Sequence, residues 1–167
     1  MENSSEKRFL IDTSAFISLE RIGLLSKVIN LFGVITTSSV IRELEDFAVH
    51  SDKYGLIARK VLGFRDDILI IDPNAKEKVP YLQDTDNELF SAAKQAGIPL
   101  VSDDHKLVHH TRDKIDSYFS TFFLILFVSA EIISKNEALG MLEKMRDIRN
   151  WKSNIIYLTT KEAIAKF

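Results

Sequence analysis

The strongest constraint on the fold is an alternation. Four short apolar runs, Phe9 to Ile11, Val34 to Thr36, Ile68 to Ile71 and Pro99 to Ser102, are separated by longer stretches of helical period. Each run is apolar through its middle, the pattern of a strand covered on both faces of a parallel sheet. Parallel strands need crossovers, and the intervening segments are long enough to be helices. The alternation predicts an α/β sandwich with right-handed crossovers.

Nothing in the 167 residues divides them: no repeat, low-complexity tract or Gly/Ser/Pro linker is present, so a single domain over 1–167 is expected. With 24 acids against 22 Lys or Arg, a polybasic polyanion binder is excluded. The absence of cysteine excludes a disulfide framework, a thiolate zinc site, an iron–sulfur cluster and a thiol nucleophile, and fits a reducing, cytoplasmic setting. Met1 to Arg8 is polar where an export signal needs an apolar core. The longest apolar run, Phe122 to Val128, falls well short of the ~20 residues of a membrane span and is expected as a buried helix.

Caps place the helix starts. Thr85 with Glu88, and Ser134 with Glu137, have capping-box spacing ahead of apolar runs, and Ser39 is expected to cap the helix carrying Val40, Leu44 and Phe47. Ser120 and Thr121 are expected to cap a helix from Phe122 to Ile133, with a strand as the alternative. From Ala138 onward six Lys or Arg face three acids, either a solvated helix face or a contact surface.

The informative acids stand at strand ends and inward helix positions. Asp12 directly follows the first apolar run, at the sheet edge where open α/β folds bind ligands, with a helix N-cap for Thr13-Ser14 as the alternative. Glu43 shares a helical stripe with Val40, Leu44 and Phe47 and is expected to point inward. Asp86 lies three, four and seven residues before Leu89, Phe90 and Ala93, at the first turn of its helix. Asp103 and Asp104 follow the fourth run. Carboxylates drawn to one edge cannot all stay ionised at neutral pH without a cation. An all-oxygen set favours Mg²⁺ or Mn²⁺ over zinc, and such ions activate water against phosphodiesters. Metal-assisted phosphodiester hydrolysis is the reaction class expected.

The ordered set Phe9-Leu10-Ile11-Asp12-Thr13-Ser14, Val40-Ile41-Arg42-Glu43-Leu44, Asp86 ahead of Ala92-Ala93-Lys94-Gln95-Ala96-Gly97, and Leu100-Val101-Ser102-Asp103-Asp104 resembles the PIN-domain family, across roughly residues 9–133. The resemblance is nearest to small prokaryotic PIN proteins, VapC-like toxins of toxin–antitoxin pairs among them. A branch of these proteins has a Gly-Thr before the late helix, where this chain has Ser120-Thr121. The resemblance implies a three-layer α/β/α sandwich with a short, mainly parallel sheet, with 134–167 as a helical, basic extension. It also implies a Mg²⁺- or Mn²⁺-dependent endoribonuclease acting on single-stranded RNA, an antitoxin protein as partner and a homodimer.

By position, Asp12, Glu43 and Asp86 match the first three family acids. The fourth, in a Thr-x-Asp pattern, maps onto Ser102-Asp103-Asp104 and selects Asp104, with Asp103 as an adjacent metal contact. In the mechanism so implied, Asp12, Asp104 and Asp86 hold the metal, and Glu43 orients or deprotonates the attacking water. Ser14, Lys106 and Arg112 are the expected substrate contacts. His105, His109 and His110 stand in the same local basic cluster, which a solvated helix face explains equally well. Leu19, Ile22 and Leu25 are either an apolar dimer surface or core. A catalytically inactive PIN-fold scaffold and a receiver-like module phosphorylated on Asp72 are the rivals, the latter weakened because no second acid adjoins Asp12.

Overall fold

The computed structural model describes residues 7–149 and 154–167. Met1 to Glu6, most of the segment read for an export signal, lies outside them. Residues 1–118 and 119–167 form two compact units.

The first unit holds one sheet whose strands are all parallel: β1 (Arg8–Ile11), β2 (Gly33–Thr36), β3 (Leu69–Ile70), β4 (Leu100–Val101) and β5 (Ser117–Tyr118), in the order β3-β2-β1-β4-β5. The first four coincide with the apolar runs: β1 and β2 begin one residue earlier than their runs, and β3 and β4 are trimmed by one residue at each end. β5 was not foreseen: it is two half-buried residues with no apolar run, held because Leu100 N–H donates to Asp116 O at 2.9 Å. The helices are α1 (Thr13–Arg21), α2 (Leu25–Leu31), α3 (Ser38–Ala48), α4 (Lys53–Leu62), α5 (Asp84–Ala96) and α6 (His105–Thr111).

The chain moves outward one way from β1 through β2 to β3, then crosses back to β4 and on to β5. Right-handed crossovers then place α1–α4 on one face and α5 and α6 on the other, the three-layer arrangement of a PIN-like fold. The order reverses between β1 and β4, so their carboxyl ends border the crevice in which such sheets bind ligands. Asp12 and Ser102 are the first residues past those two ends.

Packing decides between the two readings of the early apolar positions. Leu19, Ile22 and Leu25 are buried within the core alongside Phe16, Leu10 and Phe90, and offer no apolar face to a second chain.

Two helix starts differ from their predicted caps. In α5 the box is formed two residues earlier: Gln83 is the N-cap and its N–H donates to Asp86 Oδ2 at 3.2 Å, so Thr85 is already inside the helix. Glu88 is freed from capping and turns inward, paired with Lys76 at 2.7 Å. In α3 the N-cap is Thr37, and the N–H of Ser38 is satisfied from afar, by Asp72 Oδ1 at 2.8 Å. Ser39 lies inside the helix and hydrogen-bonds Thr37.

In the second unit, α7 runs from Phe122 only to Ser129; Glu131 adopts φ 56° and ends the segment expected to continue to Ile133. Thr121 is its N-cap without a side-chain bond, its hydroxyl instead accepting from Thr160 at 3.0 Å. The Ser134–Glu137 box forms as expected and precedes α8 (Lys135–Arg149). α9 (Ile155–Ala165) packs against both α7 and α8. Within the basic tail, Arg146 and Lys161 both pair with Glu143, at 2.6 and 3.5 Å. The Arg149 and Lys152 side chains lie outside the described residues.

Candidate active site

Asp12 ends β1 and enters α1 with φ −82° and ψ 159°, the extended geometry of an N-cap. Its N–H donates to Val101 O at 2.9 Å, which ties the two switch-point strands together at this residue. Both readings of Asp12 hold at once: Oδ1 caps α1 by accepting from Thr13 N–H, while Oδ2 accepts from the hydroxyls of Ser14 and Ser102, all at 2.7 Å. The residue is only 9% exposed. Burial pushes its carboxyl above the usual range, the hydrogen bonds pull back, and the nearby Asp103 charge adds to the rise.

The same hydroxyls carry the fourth acids. Ser102 Oγ accepts from Asp104 N–H at 3.0 Å, Ser14 Oγ accepts from Asp103 N–H at 2.9 Å, and the two oxygens are 3.2 Å apart. One hydroxyl pair therefore joins the β1–α1 turn to the β4–α6 turn. Asp104 is exposed, and its Oδ1 caps α6 by accepting from Lys106 and Leu107 N–H at 2.7 and 3.2 Å. Asp103 is half-buried beside it.

Glu43 stands at the rim. It was expected to face inward, but its residue surface is exposed because α3 begins at Ser38 and directs Leu44, not Glu43, into the core. Glu43 Oε2 accepts from Thr13 Oγ1 at 2.6 Å, fixing the carboxyl against the start of α1. Burial of that carboxyl is the main cause of its upward shift, and the charges of Asp12 and Asp86 add to it. Asp86 is half-buried and likewise shifted upward, by burial first, then by Asp104 and Asp12, with Lys106 opposing.

Asp12, Glu43, Asp86 and Asp104 thus come from four separate elements to one edge, close enough for their charges to act on one another. Lys106 belongs to this edge. Arg112 does not: it follows α6 at the opposite end and borders a recess with Pro99 and Asp116, at the amino ends of β4 and β5. Ser14 is at the site, but its hydroxyl is committed to Asp12, Asp103 and Ser102. Asp72 has a structural partner in Ser38, whose hydroxyl and N–H hold its carboxyl below the usual range. Ser102 was not assigned a role in the site from sequence. A hydroxyl directly beside a strand-end acid was the available signal.

The donor chemistry suits a hard divalent cation, all oxygen and anionic. Asp104 Oδ2, Asp86 Oδ1 and Glu43 Oε1 take no part in the hydrogen bonds above, which leaves them available to an ion. The carboxyls are not gathered into a ready cage: among the described residues no group of three or more His, Asp or Glu side chains is placed to hold a metal ion. The residues fit the ion in donor type and charge.

No family model and no curated protein matches the chain. Solved structures do. VapBC-1 from nontypeable Haemophilus influenzae matches with a TM-score of 0.50 at 16% identity, over 68% of this chain and 98% of that one. PAE2754 from Pyrobaculum aerophilum matches with a TM-score of 0.56 at 15% identity, over 77% and 94%. A domain of a functionally unknown protein from Methanocaldococcus jannaschii matches with a TM-score of 0.51 at 20% identity, over 68% and 90%. At these identities the likeness is one of fold, and it is the fold that the sequence resemblance implied.

Proposed function

We propose that this chain is a Mg²⁺- or Mn²⁺-dependent endoribonuclease that hydrolyses phosphodiester bonds of single-stranded RNA. The observation that carries the reading is the convergence of Asp12, Glu43, Asp86 and Asp104 at the switch point, with upward-shifted carboxyls at the first three. Asp12, Asp86 and Asp104, with Asp103 beside them, would hold the ion, which when bound lowers the pKa of water and neutralises charge on the phosphodiester.

The chain's own residues then have distinct tasks. Ser14 and Ser102 hold Asp12 and the 103–104 turn in one arrangement, so that both move as a unit. Thr13 fixes Glu43, whose pKa is shifted upward, the direction that makes a carboxylate a better acceptor of a proton from the attacking water. Lys106 offers its ammonium to a phosphate. The resemblance and the VapBC-1 likeness support placing the chain as the toxin of a toxin–antitoxin pair, with an antitoxin partner and a homodimeric, cytoplasmic state. No helix of the described residues is long and apolar enough to cross a membrane.

Purified protein is expected to cleave single-stranded RNA with Mn²⁺ or Mg²⁺ and to stop on chelation. Asp12→Asn should lower the rate by at least ~100-fold, by analogy with loss of a single key electrostatic group. Undiminished cleavage by Asp12→Asn sinks the assignment. One observation favours a second reading, an inactive PIN-fold scaffold: the carboxyls form no ready cage among the described residues. Calorimetry separates the two, since a scaffold binds no divalent ion at this edge.

A further inference from the structure

Between β3 and α5 the chain runs for more than ten residues without regular structure, and one side of α5 holds it down. Glu77 N–H donates to Ser91 Oγ at 2.7 Å, Val79 N–H to Asn87 Oδ1 at 2.7 Å, and Asn87 Nδ2 to Leu82 O at 3.3 Å. Asn87, Ser91 and Val79 are buried. Clamped between Val79 and Leu82, Tyr81 takes φ 71°, a left-handed conformation that a bulky residue rarely adopts, and is left 77% exposed. Burial gives no reason to keep a large apolar ring there, and strain held by surrounding bonds at an exposed residue marks a functional position.

The ring is not isolated. It stacks on His110, with centroids 5.7 Å apart and planes 28° apart. His110 meets His109 at 5.2 Å, and His109 stacks on His105 at 5.9 Å and 7°. Three of the chain's four histidines therefore line α6 behind Tyr81. The row begins at His105, the residue after Asp104, and ends five residues on at His110, about 7.5 Å along the helix axis. That is room for two or three bases at the ~3.4 Å interval of a strand. Lys106, on the same helix, places a cation beside the row. Tyr81 also lies two residues before Gln83, whose N–H fixes Asp86. Both ends of the row are thus anchored to segments that carry site acids.

We propose that Tyr81 and the α6 histidines His110, His109 and His105 form a base-stacking platform that receives the unpaired bases of the RNA strand next to the scissile phosphate. Tyr81, His105 and His109 are exposed and His110 is half-buried; flat rings accept any base face, so the platform selects single strands over duplex and tolerates sequence variation. The proposal deepens the ribonuclease reading and rests on it.

The test uses the full chain and a short single-stranded RNA carrying 2-aminopurine, whose fluorescence is quenched on stacking. Binding is read in the Asp12→Asn background with Mg²⁺, and KM and kcat in the otherwise unaltered protein. Tyr81→Leu is expected to abolish the quenching, weaken binding about ten-fold and raise KM with kcat little changed, while Tyr81→Phe restores all three. Tyr81→Gly should lose binding equally while holding or raising Tm, since glycine relieves the positive φ. Replacing the stacked base by an abasic site should erase the difference between Tyr81 and Leu, and the salt dependence should stay unchanged because no phosphate contact is lost. If RNA is bound and cut but Tyr81→Leu changes neither quenching nor KM, the platform is refuted and the nuclease stands. If the unaltered chain neither binds nor cuts RNA, both fall.

Discussion

At Asp12 a structural and a chemical role share one carboxylate, and Ser102 decides whether they can coexist. A buried aspartate is held ionised by the bonds it accepts, and Ser102 supplies one of three at Asp12 while also receiving Asp104 N–H. Ser102→Ala removes both. The expected cost is about 1–3 kcal/mol, because a buried charged acceptor loses a charge-assisted bond. The Asp12 carboxyl moves further upward, and proton competition weakens divalent binding. Thermal denaturation with and without Mn²⁺ checks this: Ser102→Ala should lose more stability with the metal than without it, and equal losses would reduce Ser102 to a packing residue. Asp12 was legible in the sequence because an acid directly after an apolar strand stands at a known edge. The Ser102 bond spans ninety residues, and no local pattern announces it. Glu43 was legible as a site acid but not in its direction, because one residue in the start of α3 decides which side chain of the stripe faces the core.

The elements divide along the same line. β1, β2 and β4 could be read because burial on both faces demands apolar runs, and the edge strand β3 carries an apolar run although Leu69 is exposed, whereas β5 is polar, two residues long and defined only by its neighbour β4. α5 could be read from its stripe, but its start is set by Gln83 and Asp86 rather than by Thr85 and Glu88, since Glu88 finds a better partner in Lys76. α3 is the clearest case of a cap from outside: Asp72, at the end of the third apolar run, takes Ser38 N–H and hydroxyl at 2.8 and 2.6 Å. Removing it as Asp72→Ala should cost about 0.5–2 kcal/mol, the range for lost helix caps. The Ser38 bonds hold this carboxyl below its usual value, so the folded state releases its proton more readily than the unfolded chain. Its contribution is therefore present above ~pH 4 and fades as pH falls through the lowered pKa. Amide exchange in the first turn of α3 is the readout: it should rise in Asp72→Ala at neutral pH and converge with the parent chain in strong acid. Because Glu43 rides on α3, the same variant should slow cleavage without altering strand affinity.

Across the whole molecule a net charge of −2 conceals an uneven distribution, with five acids concentrated at one sheet edge. Three of them, Asp12, Glu43 and Asp86, are shifted upward by burial first, with hydrogen bonds pulling back and neighbouring carboxylates of the same edge adding to the rise. The folded chain therefore binds protons there more tightly than the unfolded chain does. Without a divalent ion these groups penalise folding most at neutral pH, and stability recovers as pH falls through their raised values toward the ~3.9–4.3 of free carboxyls. Asp72 and Glu88 act in the opposite sense: burial pulls Glu88 upward, but Lys76 and Ser39 hold it below the usual range, so both acids withdraw stability at still lower pH. In EDTA, Tm should accordingly peak in mild acid. A divalent ion that binds the ionised folded site relieves the repulsion and adds about 2.7 kcal/mol at a hundred-fold excess over its Kd. Protons compete for the same oxygens, so the gain should be largest at pH ~7–8 and shrink as the three carboxyls protonate. Differential scanning fluorimetry in EDTA and in Mn²⁺ across this range tests the assignment. A metal-induced rise in Tm that is equal at every pH, or that survives Asp12→Asn unchanged, would place the ion elsewhere; a rise that follows the protonation of this edge ties the charge concentrated there to the ion.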